Sequence, residues 1–181
     1  MARGEWDWLD GDATEVAPRL LGKVLVAGEC SGRILETEAY RFDDPASHSF
    51  NGVTPRTEVM FGRPGVLYVY FIYGMHWCAN VVAGPEGSGQ AVLIRALGPL
   101  DGVALMQQRR GEGRPLSDGP AKLCEALGVS GELNGLDLLA PGSAVRLRDD
   151  GFDGGEIHPS ERIGISVAKE KLWRYRFGVD V

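Results

Sequence analysis

The chain has 181 residues and a mass of 19.5 kDa, which suits a single domain over residues 1–181. Its 44% hydrophobic and 24% charged residues are ordinary globular values that exclude a disordered or fibrous protein, and 26 Gly with 10 Pro favour short elements over a helical bundle. The net charge of −6 excludes a strongly basic nucleic-acid binder, but the acidity lies mostly in the first 50 residues, so a polyanion site would use the middle of the chain.

The first third of the chain predicts a short helix, two strands and a long loop. Residues 14–22 combine a Ser/Thr-type cap with a glycine stop, which is typical of a helix. Residues 23–27 and 32–39 have the composition of strands. Residues 40–65 show no sustained period and are rich in Pro and Gly. They predict a loop, and loops of this length in compact domains are usually functional.

A long uncharged run, residues 64–85, predicts two buried strands. A hydropathy window would flag it as a membrane span, but residues 66–73 are β-branched and aromatic and are interrupted at Gly74. We therefore predict one strand over 66–73, a second through Val81 and Val82, and no membrane partner.

The rest of the chain mixes helices and strands. Helices are predicted at residues 101–110 and 119–128, and strands at 91–97, 145–148 and 173–179. This order predicts an α+β fold with a curved, mostly antiparallel sheet of the open-barrel or roll type and short helices, rather than alternating βαβ units.

Two carboxylates share one face of the strand at residues 32–39. Strand alternation places Glu36, Glu38 and Tyr40 on the same side. Arg95 lies inside an apolar run, where a buried guanidinium needs a carboxylate partner, and one of these glutamates is the obvious candidate. Such a pair suits a positioned base or an activated water, while an exposed polar face or a structural ion pair remains the alternative.

Aromatic residues provide a possible binding slot. Tyr40, His48 and Tyr70 could enclose a planar ligand, although ordinary core aromatics are the alternative. Tyr73 lies at a strand end, just before Gly74, where a side chain can project.

Cysteine and histidine usage predicts a reduced protein without a metal. The three cysteines are odd in number and widely spaced, and the three histidines do not pair at metal-ligand spacing. The acidic start lacks the apolar region of a secretory signal. We therefore expect a cytoplasmic protein with no cofactor.

The sequence resembles the alkyladenine (3-methyladenine) DNA glycosylases over residues 14–178. The resemblance is carried by ETEAY (36–40), His48-Ser49, TPR (54–56), MF (60–61), YVYFIYGMHWCANVV (68–82), VLIRAL (92–97), GPAKLC (119–124), RIGI (162–165) and WRY (173–175). The tyrosine-rich motif with ETEAY upstream is highly specific to that family. Thr57 departs from it, since family members have asparagine after the TPR arginine.

The resemblance implies a role for each matching residue. Glu38 corresponds to the glutamate that activates the attacking water, and Arg95 to the arginine that helps to hold that water. Residues that match the base pocket are Tyr40, His48, Tyr70 and Asn80, the last of them against the amino group of guanine. Tyr73 matches the residue that wedges into the duplex, and Met75 flanks it.

The implied activity is that of a monofunctional DNA glycosylase. It would flip alkylated or deaminated purines out of double-stranded DNA, hydrolyse the N-glycosidic bond as a monomer and so start base excision repair. Two other classes stay open: a non-catalytic binder of damaged DNA on the same fold, and an accessory domain of an acyl or formyl transferase, which would leave the Glu–Arg–Tyr constellation unexplained. Seven basic residues between 54 and 123 predict a slope of log affinity against log salt of roughly −4.

Overall fold

A computed structural model describes residues 3–178 of the chain. Its helices and strands, in chain order, are α1 (Ala13–Leu20), β1 (Val24–Ala27), β2 (Cys30–Tyr40), β3 (Leu67–Ile72), β4 (His76–Ala83), β5 (Gln90–Pro99), α2 (Val103–Arg110), α3 (Pro120–Leu127), β6 (Val145–Arg148), β7 (Ile157–Ser160) and β8 (Arg174–Phe177). Short 3-10 helices lie at Arg3–Asp10, His48–Asn51, Glu58–Phe61 and Gly131–Leu133.

The strands form one curled antiparallel sheet in the order β3-β4-β5-β2-β1-β6. The long strand β2 organises this sheet, because one of its edges pairs with β5 along most of its length. Its other edge pairs with β1 in the first half and with β8 in the second, and β7 then pairs with β8. The predicted α+β fold, a single domain with short helices, is therefore confirmed.

Side-chain alternation gives the sheet two different faces. One face carries the main apolar core, which includes Ile34, Leu67, Val81 and Ile94 and is covered by the short helices. The other face carries a smaller cluster around Tyr68, under the 40–65 loop. This second face is where the candidate site lies, since neighbouring residues of each strand point alternately to the core and to the site.

Most of the predicted helices and strands are present in the structure, but they begin or end at different residues. Helix α1 is capped by Asp12, whose carboxylate accepts from the Thr14 backbone N–H at 3.0 Å, so the predicted Ser/Thr-type cap is wrong. The 40–65 loop contains two short 3-10 turns. The sequence does not predict strand β7 or the 3-10 helices at Arg3–Asp10 and Gly131–Leu133. Val179, the end of the last predicted strand, lies outside the described residues.

The uncharged run forms the hairpin β3–β4, as predicted. Tyr68 pairs with Asn80 and Ile72 with His76 across this hairpin. Within residues 3–178, no helix is long and apolar enough to cross a membrane.

Candidate active site

A cavity of about 270 Å³ opens on the face of the sheet opposite the main core. The predicted site residues that line it are Tyr40, His48, Tyr70, Tyr73, Asn80 and Arg95. Glu38 lies behind them, in contact with three lining residues, and Met75 lies on the adjoining hairpin tip. The volume falls just below the usual range for ligand pockets, which fits a ligand the size of a nucleobase.

The carboxylate of Glu38 is fully buried and receives three hydrogen bonds. Its Oε2 accepts from the Tyr40 hydroxyl at 2.8 Å and from Arg95 Nη1 at 3.2 Å. Its Oε1 accepts from the backbone N–H of Ile163 at 2.8 Å. These donors satisfy a buried charge that would otherwise be costly, and they fix the orientation of the side chain.

Arg95 reaches Glu38 because strand β5 is irregular at this position. Glu36 pairs with Ala96 and Thr37 with Ile94, so Arg95 is the extra residue of a bulge. Bulges redirect side chains beside functional sites, and here the guanidinium turns toward the two glutamates. Arg95 Nε lies 3.5 Å from Glu36 Oε1, which also accepts from Arg174 Nη1 at 3.0 Å. The arginine is therefore held between two carboxylates.

The aromatic wall of the cavity is neutral. Burial raises the pKa of Tyr40, and the charge of Glu38 raises it further, so its hydroxyl remains a proton donor. Burial likewise raises the pKa of Tyr70. The ring of His48 meets that of Tyr70 edge-on at 4.5 Å, and its Nδ1 lies 3.1 Å from the Tyr68 hydroxyl. Burial and then the charge of Arg56 lower the pKa of His48, which keeps the imidazole uncharged.

Two of the lining residues, Asn80 and Cys78, come from β4. Asn80 Nδ2 donates to the backbone carbonyl of Tyr68 at 3.1 Å, so this amide both lines the cavity and ties two strands together. Cys78 also lines the cavity, and burial raises the pKa of its thiol. Sequence reasoning did not single out Cys78 as a lining residue, although its spacing of two from Asn80 places both on one face.

The β3–β4 hairpin ends in an exposed aromatic tip. Tyr73 has a φ of 54° and Gly74 a φ of 67°, and Met75 N–H donates to Ile72 C=O at 3.3 Å, as in a type I′ turn. The side chains of Tyr73 and Met75 are 79% and 68% exposed. A tyrosine held in the left-handed region beside a cavity is a strained, outward-pointing group, which is often functional.

Thr57 serves the loop rather than the cavity. Its hydroxyl accepts from the Thr54 backbone N–H at 2.9 Å and donates to the Gly52 carbonyl at 3.1 Å. The residue is buried and does not line the cavity. Its departure from the expected asparagine therefore affects the loop that carries His48.

The comparison with known proteins assigns the chain to a family. The family model described as methylpurine-DNA glycosylase matches residues 7–179. A relative named "Putative 3-methyladenine DNA glycosylase" from Rhodopseudomonas palustris (strain BisB18) is 55% identical over 163 residues, covering 89% of this chain and 80% of the relative. Relatives of the same name from Agrobacterium fabrum and Burkholderia lata are 48% and 47% identical, covering 91% and 93% of this chain and 83% and 84% of theirs. The chain therefore belongs to the methylpurine-DNA glycosylase family, and it is a DNA glycosylase, a hydrolase of the N-glycosidic bond of alkylated bases.

Proposed function

We propose that the cavity receives a purine flipped out of duplex DNA and that Glu38 activates the water that displaces it. The observation that carries this proposal is the fully buried Glu38 carboxylate, held by three donors directly behind an aromatic cavity. Alkylated purines are the expected substrates, and deaminated purines such as hypoxanthine fit the same slot because stacking does not depend on the base edge.

Base flipping follows from the burial of Glu38. A base that stays stacked in a duplex cannot come near a carboxylate with no solvent exposure, so the nucleotide must leave the helix at a cost of about a few kcal/mol. Stacking against Tyr40 and Tyr70, at roughly 1–3 kcal/mol per base, offsets that cost. Tyr73, exposed on the adjoining hairpin, can fill the space that the base vacates.

The hydrogen bonds of Glu38 leave one acceptor position of its carboxylate unused. A carboxylate has about four lone-pair positions, and Tyr40, Arg95 and Ile163 use three of them. The remaining position is on Oε1, since Oε2 already accepts two bonds. We therefore assign the water contact to Oε1, with Arg95 fixing the opposite oxygen.

The reaction at the sugar then needs no further group from the protein. As the C1′–N bond breaks, its electron pair leaves with the base and the sugar becomes oxocarbenium-like. A cationic alkylated purine then leaves as the neutral base, whereas hypoxanthine leaves as an anion that takes a proton from solvent. The carboxylate of Glu38 stabilises that positive charge and takes a proton from the water as the C1′–O bond forms. No lysine lines the cavity in the described part of the chain. The product is then an abasic site with an intact backbone, made by a monofunctional enzyme acting in base excision repair.

A non-catalytic damage binder would use the same aromatic slot and hairpin tip. Such a binder has no use for a carboxylate near a sugar that is flanked by phosphates, because the negative carboxylate repels the DNA backbone. The Glu38–Arg95 pair therefore favours catalysis, as does membership of a glycosylase family.

Glu38→Gln tests the assignment. The amide keeps the shape of the side chain but cannot take a proton, and general-base contributions are about 10²–10⁴-fold. The glutamine NH₂ group can replace either carboxylate oxygen, and in both orientations it meets another donor, either the Ile163 N–H or the Arg95 guanidinium. One of these hydrogen bonds is therefore lost. We expect base release to fall by at least about 10²-fold, while lesion-duplex binding is largely retained.

The measurement uses duplexes that carry each alkylated base or hypoxanthine, with abasic sites scored by alkali cleavage. Glu36→Gln is the matched control, since Glu36 contacts Arg95 but leaves the three donors of Glu38 in place. The control should lose much less activity. Release by folded Glu38→Gln at near the wild-type rate would assign the chemistry to another group.

A further inference from the structure

A second buried ion pair lies directly behind the cavity. The side chains of Arg162 and Asp44 are both fully buried. Arg162 Nη1 donates to Asp44 Oδ2 and, at 3.0 Å, to the Ala39 carbonyl, while Nη2 donates to Asp44 Oδ1 at 3.2 Å. This paired, two-pronged contact joins residues that are 118 positions apart in the chain.

The guanidinium of Arg162 also lies against two aromatic rings. Its Cζ is 4.7 Å from the ring centre of Tyr40 and 5.1 Å from that of Trp173. Both distances suit cation–π contact. One side chain therefore contacts the Tyr40 ring, the end of β2 and the residue before β8, which is more than a simple surface ion pair does.

The residue that follows Arg162 touches the proposed catalytic group. Ile163 N–H donates to Glu38 Oε1 at 2.8 Å, and Ile163, Gly164 and Ile165 line the cavity. Residues 161–172 form no helix or strand. Within the described residues, the one turn bond of this segment joins Lys171 N–H to Ala168 C=O at 3.4 Å, which is far from Ile163 in sequence. The position of the Ile163 amide therefore depends on the anchor beside it.

We propose that Arg162 and Asp44 act as a positioning pair, which holds the Ile163 amide and the Tyr40 hydroxyl on the carboxylate of Glu38. The inference rests on the proposed role of Glu38. Arg162 does not itself touch the substrate. It acts through two of the three donors that orient the carboxylate, one on each oxygen. A misplacement of about 1 Å in such a site can cost roughly 10²-fold in rate.

A gain in folding stability does not explain why Arg162 and Asp44 are buried together. The loss of hydration on burial offsets much of the attraction between the charges, and apolar side chains of similar volume often serve a core equally well. What apolar side chains cannot do is hold a backbone carbonyl, a carboxylate and two ring faces in one geometry. The pair therefore orients the groups that bind Glu38, and its loss should lower the rate of the chemical step.

Arg162→Lys separates orientation from stability. Lysine keeps the charge but cannot bond both Asp44 oxygens and the Ala39 carbonyl in one plane. We expect the single-turnover rate of base release to fall by about 10²-fold, with lesion-duplex affinity within about threefold of wild type. Exchange protection of the Ile163 amide should fall as well, at a pH and temperature where the protein remains globally folded.

Arg33→Lys is the matched control. Arg33 also makes a two-pronged contact, with Asp150, donates to the Gly22 carbonyl and lies 4.0 Å from the Phe152 ring centre, all away from the cavity. It should lower the melting temperature without changing the single-turnover rate per folded molecule. A wild-type rate in folded Arg162→Lys would overturn the proposal, since the pair would then act on stability alone.

Asp44→Asn is the second variant if Arg162→Lys does not fold. Asparagine keeps the shape and one acceptor oxygen, so about a tenfold loss of rate is expected, and an unchanged rate overturns the proposal. Failure of both variants to fold would make the pair a folding element and would overturn it too. Glu38→Gln is measured beside them: a wild-type rate there removes the proposed role of Glu38, whereas loss there with full activity in Arg162→Lys removes only the positioning role.

Discussion

Replacing Tyr73 by glycine should make the free protein more stable and lower its affinity for lesion-containing duplex DNA. The left-handed backbone at φ 54° costs a non-glycine residue about 1–2 kcal/mol, which glycine does not incur. Glycine loses about 0.5–1 kcal/mol of this gain through its larger freedom in the unfolded chain. The ring is 79% exposed, so little burial is lost. The net gain is about 0.5–1 kcal/mol, or roughly 1–4 °C in melting temperature.

The effect on DNA should have the opposite sign. If the Tyr73 ring takes the place of the flipped base, its removal forfeits stacking worth roughly 1–3 kcal/mol. That corresponds to about a 5- to 150-fold loss of lesion-duplex affinity. A residue whose removal stabilises the protein and weakens its complex is one whose strain is kept for function.

Thermal unfolding and lesion-duplex titration of the same preparation provide the two measurements. Ala168→Gly is the control, because Ala168, with a φ of 51°, is the other non-glycine residue with positive φ among the described residues. It should gain a similar stability and keep wild-type affinity. Unchanged affinity and base release in folded Tyr73→Gly would refute the wedge and leave the strain unexplained.

Asn80, His48 and the exposed arginines should each respond to a different change. Asn80→Ser should raise the rate of guanine release relative to that of hypoxanthine release on matched duplexes, because the shorter side chain opens space for the guanine amino group. If Asn80 only ties β4 to the Tyr68 carbonyl, both release rates and the stability of the protein should fall together. Burial lowers the pKa of His48 in the folded state, so the imidazole binds a proton more readily in the unfolded chain. The stability of the folded protein should therefore fall as the pH drops below about 6.5. Melting curves of His48→Asn should show a smaller loss of stability over the same pH range. The slope of log affinity against log salt should be near −2, and a slope of −4 or steeper would contradict the pairing of arginines described below.

Regular alternation explains why much of the site could be predicted from sequence. Glu36, Glu38 and Tyr40 share a face because they are two residues apart on one strand, and apolar neighbours of Arg95 showed that it needs a buried partner. The hairpin tip was equally visible, since Gly74 interrupts a run that favours strands. These inferences need only local patterns, and the structure contains the contacts that they predict.

The parts that escaped prediction depend on irregular or distant contacts. The bulge that turns Arg95 toward Glu38 has no local sequence signature, because it arises from the pairing of β5 with a curled β2. Strand β7 contains a proline and is largely exposed, so it lacks the alternation that marks a strand. Arg162 lies in an irregular segment, and no local pattern could show that its partner is Asp44.

Most basic side chains of residues 54–123 are already bonded within the fold. Between residues 54 and 123, ion pairs join Arg63 to Asp137, Arg95 to Glu38, Arg110 to Glu125 and Lys122 to Asp118. Arg109 donates to the Ala126 carbonyl. In that stretch, Arg56 and Arg114 are the basic residues for which the described structure shows neither kind of contact. The sequence-based slope of about −4 therefore counted Arg63, Arg110 and Lys122, which carboxylates already hold. If the DNA contacts of this stretch come from Arg56 and Arg114 alone, the slope is about −2.

The pairing of these cations changes how this part of the surface can recognise DNA. A paired guanidinium has to leave its carboxylate before it can bind a phosphate, so undamaged duplex offers this surface little attraction. On the proposed mechanism, the affinity that remains comes from the Tyr73 tip and from stacking in the cavity, and both act only where a base has left the helix. Damaged bases leave the stack more easily than normal ones. We therefore expect an acidic chain with a net charge of −6 to have low affinity for DNA in general and to keep affinity for the sites where a base can be extruded.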